Sequence, residues 1–217
     1  MDLTIRLETP ADHREAEEVT REAFWNHYSP GCNEHYLLHI MRGTASFVPE
    51  LDLVAVTQDK IAGVSVCLTS YIDGDDGLRR EVLSLGPIAV RPDLQRLGIG
   101  KRLIEHTRQA AAAAGYHAIL LCGDPAYYGK VGFVPAERYG IRTAEDKYFA
   151  ALHACPLYPG ALDGAAGKYH EDAIYVVDAV KAREFDATFP HRERISGTPS
   201  QLRFIEVAAM QRKHEKP

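Results

Sequence analysis

Apolar and polar residues alternate at the start of the chain, in "LTIRLE", and this period of two predicts a β-strand. The next stretch predicts a helix with Thr9 as N-cap and Pro10 as first residue, because acidic residues fill its early turns. A second short helix is expected in "CNEHYLLHIMRG". Three strands that form a meander follow, in "LDLVAV", "IAGVSVCLTSY" and "EVLSLGPIAV".

The second half of the pattern returns to helices and strands in turn. A helix is predicted from about residue 98 to residue 114, where Gly115 ends it. "YHAILLCG" is almost continuously apolar, which is typical of a strand buried on both faces. A short helix closed by Gly132 and one strand in "KYFAALHAC" come next. The last part predicts a strand in "DAIYVVDA" and helices in "DAVKAREFDATFP" and "SQLRFIEVAAMQRKH".

This order of elements predicts a mixed α/β fold whose central sheet is partly antiparallel and is flanked by helices. It lacks the strict strand–helix alternation of a dinucleotide-binding fold. Residues 1–155 are expected to form one domain, and residues 156–217 an extension packed on it. The extension has too many apolar residues for a disordered tail and is marginal in length for a separate core.

Composition excludes several classes of protein. The net charge of −5 gives no overall basic surface for nucleic acid. The apolar runs are too short to span a membrane, and the start of the chain lacks a signal peptide. No metal site is expected. The cysteines are widely spaced, without a CxxC pair, and predict reduced thiols in a cytoplasmic protein. They are Cys32, Cys67, Cys122 and Cys155.

Two glycines, Gly98 and Gly100, stand where an apolar run stops and a helix should begin. Without a β-carbon, they let backbone N–H groups approach a ligand closely. A helix N-terminus adds unpaired N–H groups and a partial positive charge, which together suit a phosphate or pyrophosphate. Residues 91–108 also carry five basic side chains against two acidic ones. The sequence therefore predicts a phosphate-binding loop here.

Two well-known phosphate loops do not fit this stretch. A Walker loop needs GxxxxGK[ST], but Arg102 follows Lys101, and the earlier glycine is missing. A dinucleotide loop needs GxGxxG directly after the first strand, whereas this pair follows the fourth strand and has no third glycine.

The segment from Gln95 to Gly100, "QRLGIG", resembles the Q/RxxGxG/A loop of the GCN5-related N-acetyltransferases (GNAT) and lies where that family has it. "GDPAYYGKVGF" is similar to the family's Tyr-x-x-x-Gly-Phe segment, and "LGPIAV", "GDPAYY" and "PGALDG" resemble its bacterial YhbS-like branch. The resemblance implies the GNAT fold. It also implies transfer of an acetyl group from acetyl-CoA to a primary amine of a small molecule or protein, by direct attack in a ternary complex.

The resemblance also implies roles for individual residues. In the family, the fourth and fifth strands splay apart near the position of Gly86-Pro87, and pantetheine lies between them. Backbone groups of the fourth strand would then pair with the pantetheine amides. The N–H of Ile88 would stabilise the oxyanion. Tyr128 would protonate the leaving thiolate. The residues implied to bind the cofactor are Ile88, Ala89, Val90, Gln95, Arg96, Leu97, Gly98, Ile99, Gly100, Lys101, Tyr127 and Tyr128.

The general base stays open in the sequence. Family members that acetylate lysine often have a glutamate on the fourth strand, and the matching position holds Ser84, which is not a base. A water chain ending at Ser84, or an amine that binds already neutral, would replace it. Glu81 lies three residues earlier, on the opposite face of a regular strand, so the side chains that offer alternatives are Glu34, His27 and His35. A non-catalytic acyl-CoA-binding or regulatory module, and another acyl group or acceptor, also remain open, as does a homodimer.

Overall fold

The structure is a computed structural model and describes residues 2–215. The α-helices are α1 (His13–Phe24), α2 (Glu34–Met41), α3 (Ile99–Ala113), α4 (Pro125–Tyr128), α5 (Ala179–Asp186) and α6 (Pro199–Ala209). The strands are β1 (Thr4–Leu7), β2 (Leu53–Thr57), β3 (Lys60–Gly74), β4 (Arg79–Val90), β5 (Ala118–Cys122), β6 (Val134–Pro135), β7 (Ile141–Thr143), β8 (Lys147–Phe149), β9 (Leu152–Pro156), β10 (Gly167–His170) and β11 (Gln211–Lys213).

The chain divides into two compact units. The first comprises the chain up to Cys67, Gly86–Thr107 and Ala173–Leu202. The second comprises Leu68–Leu85, Arg108–Asp172 and the chain from Arg203 onward. As a result β3, β4 and α3 each contribute residues to both units.

In the first unit, β1 pairs antiparallel with β2, and β2 pairs antiparallel with β3. The helices α1 and α2 pack against each other. The glycine at position 63 lets two backbones approach, because a β-carbon there would lie 2.8 Å from the Ala89 carbonyl oxygen. A core cluster forms beside it from Leu3, Leu53, Ala55, Ala62, Ile99 and Leu103.

In the second unit, β4 pairs parallel with β5, with Leu83 opposite Ile119 and Ser84 opposite Leu120. The strand β5 pairs antiparallel with β9, and β9 pairs antiparallel with β6. The end of β3 pairs antiparallel with β10, which pairs parallel with β7. Parallel and antiparallel pairs therefore occur together in a sheet flanked by helices, and the predicted fold class is confirmed.

The start of α1 was predicted wrongly. The helix begins at His13 and not at Pro10. Thr9 donates its N–H and its hydroxyl to the Asp12 carboxylate, at 2.8 and 2.6 Å, which closes a turn before the helix. Thr9 is thus a turn residue, and Asp12 directly precedes the helix.

The prediction of one strand in "KYFAALHAC" was also wrong, because the stretch divides into β8 and β9. Between them the Ala150 N–H donates to the Met210 carbonyl, at 3.0 Å, and Gly123 N–H donates to Ala151 O at 2.9 Å. The helix α6 correspondingly ends at Ala209, since the residues after it pair with β8 as strand β11.

A strand in "DAIYVVDA" is a third error. The stretch contains only a 3₁₀ turn at Ala173–Tyr175, and Val176 is 87% exposed. The carboxylate of Asp178 caps α5 by accepting from the Val180 N–H, at 2.9 Å. Because of this cap, a helix begins at the end of a sequence that otherwise has high β-propensity.

The predicted extension contributes to both units, with β10 and β11 in the second and α5 in the first. The boundary at residue 155 stays a prediction. Within residues 2–215, no helix combines the length and apolar character needed to cross a membrane. All four cysteines are free thiols, of which only Cys122 is exposed.

Candidate functional site

The glycine loop follows β4 in the first unit and ends at α3. After a 3₁₀ turn at Pro92–Leu94, Arg96 and Gly98 both take left-handed backbone angles, with φ of 64° and 85°. These angles turn the chain sharply into α3, whose first residue, Ile99, is buried. The first N–H groups of α3 have no acceptor within the helix, as at any helix start. The loop is therefore built to offer N–H groups to an anion.

Gly98 leaves the approach to these N–H groups open. A β-carbon built on Gly98 meets no atom within 4 Å. The neighbouring Leu97 side chain is 60% exposed, and Gly98 itself is exposed. Gly100 differs, because it lies inside the first turn of α3 with ordinary helical geometry. Of the two glycines, Gly98 is the one whose backbone conformation is rarely adopted by other residues.

Gln95 has a role that the sequence did not reveal. Its side-chain amide donates to the Val90 carbonyl oxygen, at 3.1 Å, and so ties the loop back to the end of β4. This bond fixes the loop geometry from within the protein.

Some basic side chains near the loop have partners within the protein, and others are left without an ion pair. Arg91 pairs with Asp93 at 2.7 Å, and Arg102 donates to the Leu3 carbonyl at 3.0 Å. Within residues 2–215, neither Arg96 nor Lys101 has an ion-pair partner, and both are exposed. These two side chains carry the positive charge that stays available to an anion.

The strand segment that leads to the loop is partly exposed. Ile88 and Val90 are half-buried and pack against the core of the first unit, and Ala89 between them is buried. The Tyr175 hydroxyl donates to the Gly86 carbonyl at 3.0 Å, just before Pro87. A residue from the C-terminal part of the chain thus anchors β4, which runs without interruption through Gly86 and Pro87.

Tyr128 lies in the second unit, at the end of the short helix α4. Asp124 caps this helix by accepting from the Ala126 N–H, at 2.9 Å, and its carbonyl accepts from the Tyr128 N–H, at 3.2 Å. The Tyr128 ring lies edge-on to Phe133, with centroids 5.8 Å apart, and close to Gly123. Tyr127 beside it is 44% exposed.

The α4 cap is held by an arginine that sequence reasoning missed. Arg203 of α6 donates two hydrogen bonds to the Asp124 carboxylate, at 2.8 and 3.0 Å. This bidentate contact is the main reason that the pKa of Asp124 falls to about 2. The C-terminal helix thereby braces the turn that carries Tyr128.

Gly123→Ala is expected to displace Tyr128. An added β-carbon would overlap Cε2 of Tyr128, so the ring must leave its position. Overpacking of this kind costs about 1–3 kcal/mol of the free energy of unfolding, measured in urea. In a Tyr128→Ala background the same change should cost much less, because the clash is gone. Equal costs in the two backgrounds would contradict the placement of the ring.

Ser84 lies within a chain of buried hydroxyl groups in the second unit. Its hydroxyl shares hydrogen bonds with Ser70 of β3 and with the Tyr169 hydroxyl of β10. All three residues are at most 5% exposed. Hydroxyl groups pass or hold protons but are not bases at neutral pH. Ser84 therefore belongs to a hydroxyl network that includes Tyr169, which the sequence did not indicate.

The alternative bases are placed very differently. Glu81 is exposed, and Glu34 is half-buried, with burial raising its pKa. Burial lowers the pKa of His27. His35 is fully buried, between Cys32, with Sγ to Nδ1 at 3.4 Å, and Asp186, with Oδ1 to Nε2 at 3.2 Å. Burial between these two groups makes His35 a structural residue.

Lowering the pH from 7 to 5 is expected to remove the stability that two buried, neutral histidines contribute. Burial lowers the pKa of His35 to about 4 and also lowers that of His153, whose ring is 5.8 Å from the Tyr128 ring. The folded state keeps both neutral, whereas the unfolded chain protonates them near their ordinary value of about 6.5. Stability is therefore lost as the pH falls through this window, by roughly 1–3 kcal/mol at pH 5.

Urea unfolding at several pH values measures this loss. His153→Gln should reduce the pH dependence, and replacement of the exposed His106 by Gln should leave it nearly unchanged. Burial also raises the pKa of Asp52 to about 8, which adds stability as the pH falls, so the histidine contribution is read from the difference between wild type and variant. An identical pH dependence in the wild type and in His153→Gln would contradict burial of a neutral His153. Within the described residues, no cluster of three or more His, Cys, Asp or Glu side chains is arranged to hold a metal ion.

Comparison with known proteins agrees with this arrangement of loop and fold. The family model of the acetyltransferase (GNAT) domain matches residues 49–135, which include β4, the glycine loop and Tyr128. The predicted resemblance to this family is thus confirmed over residues 49–135. Among curated relatives it is similar to the uncharacterized N-acetyltransferase YhbS of Escherichia coli K12, at 26% identity over 172 residues, or 78% of this chain and 97% of YhbS.

Two solved structures share the fold. The crystal structure of E. coli YhbS in complex with CoA has a TM-score of 0.71 and 22% identity, and the match covers 81% of this chain and 92% of that one. A GNAT family acetyltransferase from Brucella melitensis in complex with acetyl-CoA has a TM-score of 0.65 and 24% identity, with 80% and 98% covered. The similarity to YhbS that the motifs predicted is accordingly confirmed in sequence and in fold.

Proposed function

We propose that this protein is an N-acetyltransferase that transfers an acetyl group from acetyl-CoA to a primary amine, within a ternary complex. The observation that carries the proposal is the open loop at Gly98, whose left-handed backbone directs the chain into the N-terminus of α3. Two similar folds crystallised with CoA and acetyl-CoA support the same cofactor.

In this proposal the loop residues 95–101 hold the pyrophosphate through backbone N–H groups, and Arg96 and Lys101 add positive charge. The half-buried strand segment at Ile88, Ala89 and Val90 offers its backbone to the pantetheine amides. Tyr127 contributes a partly exposed ring to the cofactor site.

The cofactor supplies a thioester, whose carbonyl carbon is attacked by the amine while the carbon–sulfur bond breaks. The N–H of Ile88 stabilises the oxyanion that forms, and the Tyr128 hydroxyl gives its proton to the departing thiolate. The amine nitrogen must lose a proton. Ser84 is not a base, so we propose that a neutral amine attacks. Once the carbon–nitrogen bond has formed, the nitrogen gives one proton to water ordered by the Ser84 hydroxyl network, and solvent restores the proton of Tyr128.

A second candidate function is a non-catalytic acyl-CoA sensor. The observation that favours it is the residue at position 84, a serine, whose hydroxyl is not a base at neutral pH. We also propose a cytoplasmic location from the unpaired cysteines, whereas the acceptor, the acyl chain length and a homodimer remain open.

An acceptor panel tests the proposal. Free CoA release would be followed with acetyl-CoA and with longer acyl-CoA donors, and mass spectrometry would identify the acylated product. Turnover with an amine acceptor supports the enzyme. CoA binding without turnover on any acceptor supports the sensor. Calorimetry that detects no binding of CoA or acetyl-CoA would reject both.

A further inference from the structure

A cavity of about 570 Å³ lies in the first unit, between α1 and the segment that begins in α5. Its volume falls within the range of small-molecule sites, about 300–1,000 Å³. Four of its lining residues are arginines, which we call the arginine cradle: Arg21, Arg183, Arg192 and Arg194. None of them has a role in the acetyl transfer described above.

The charges of the arginine cradle are only partly neutralised. The Asp186 carboxylate forms ion pairs with two of the arginines, Arg21 at 2.7 Å and Arg194 at 3.4 Å. Within residues 2–215, Arg183 and Arg192 have no ion-pair partner. The only other acidic residue of the lining is Glu193. The wall is therefore positive by two charges in a chain whose net charge is −5.

Three of the four guanidinium groups lie close to one aromatic ring. The Cζ atoms of Arg21, Arg192 and Arg194 lie 4.3, 5.7 and 5.8 Å from the Trp25 ring centroid. Contact with an indole face stabilises a cation without neutralising it. The arrangement thus concentrates positive charge that an anionic ligand can still use.

The backbone that carries two of these arginines is fixed. The side-chain amide of Asn26 donates to the Glu193 carbonyl at 3.1 Å, and its oxygen accepts from the Ile195 N–H at 3.1 Å. Trp25 donates its indole N–H to the same Glu193 carbonyl at 2.8 Å. These bonds hold the segment on both sides of Arg194 against the end of α1, so the site is organised before a ligand arrives.

We propose that the arginine cradle binds a small molecule with two oxyanion groups, either carboxylates or phosphates. Guanidinium groups form paired hydrogen bonds with both kinds of group, and two negative charges match the charge of the wall. This site goes beyond the proposed acetyl transfer, because it uses none of the residues of the glycine loop.

Calorimetry on the full chain tests the proposal, with citrate and pyrophosphate as probes at low ionic strength. We expect one equivalent of at least one probe to bind in CoA-saturated protein. Arg192→Gln should weaken binding by about 10- to 100-fold, since it removes a charge-assisted contact. Arg138→Gln removes an exposed arginine outside the cavity lining and should leave the affinity unchanged.

The two probes identify the source of the oxyanion, because citrate supplies only carboxylates and pyrophosphate only phosphates. The absence of binding by both probes would overturn the proposal. It would also be overturned if binding fell with Lys101→Gln but not with Arg192→Gln, since the probe would then occupy the glycine loop. Arg192→Gln should bind CoA as the wild type does. Failure of the wild type to bind CoA would contradict the acetyl-transfer proposal alone, and the probes would then be titrated into free protein.

Discussion

Gly98→Val is expected to weaken CoA binding by at least about 100-fold, because two or more charge-assisted hydrogen bonds to phosphate would be lost. The residue has φ of 85°, which a β-branched side chain strongly resists. Its missing β-carbon also faces open space, where a ligand would approach the N–H groups of α3. The measurement is calorimetry with CoA, alongside urea unfolding.

The chain offers a matched control at the other end of the same helix. Gly115 has φ of 88°, and a β-carbon there also meets no atom within 4 Å. Gly115→Val should therefore cost a similar amount of stability, roughly 1–2 kcal/mol, but leave CoA affinity nearly unchanged. If both variants bound CoA equally well, the pyrophosphate would not lie at the glycine loop.

The features that the sequence predicted well are local ones. The meander, the start of α3 near Gly98 and the end of α3 before Gly115 follow from apolar periodicity and from glycine at particular backbone positions. These signals lie within a few residues of the structure that they specify. The fold class could be inferred from them, whereas the resemblance to the family rested on the motifs "QRLGIG" and "GDPAYYGKVGF".

The contacts that the sequence did not reveal join residues far apart in the chain. Tyr169 completes the hydroxyl network of Ser84, and Arg203 braces the cap at Asp124, yet neither pair is marked by spacing or motif. The strand predicted around Val176 failed for the same reason. A strand forms only where a neighbouring strand pairs with it, and that information is tertiary.

Tyr128→Phe is expected to lower kcat by about 10²–10⁴-fold, the usual contribution of a general acid, with little change in acetyl-CoA affinity. The change removes only the hydroxyl, so the ring keeps its contacts with Phe133 and Gly123. What is lost is a proton donor for the leaving thiolate, which matters in the transition state and not in the bound ground state. The measurement is kcat with the best acceptor of the panel, together with the acetyl-CoA dissociation constant.

Tyr127→Phe is the matched control, because it removes the same group from the adjacent, more exposed tyrosine of α4. Its kcat should change by much less, which separates a specific role of Tyr128 from general disturbance of the turn. A donor whose leaving thiolate is a weaker base should also reduce the effect of Tyr128→Phe, since such a thiolate needs less protonation. Full kcat in Tyr128→Phe, with chemistry rate-limiting, would show that water or the acceptor amine protonates the thiolate instead.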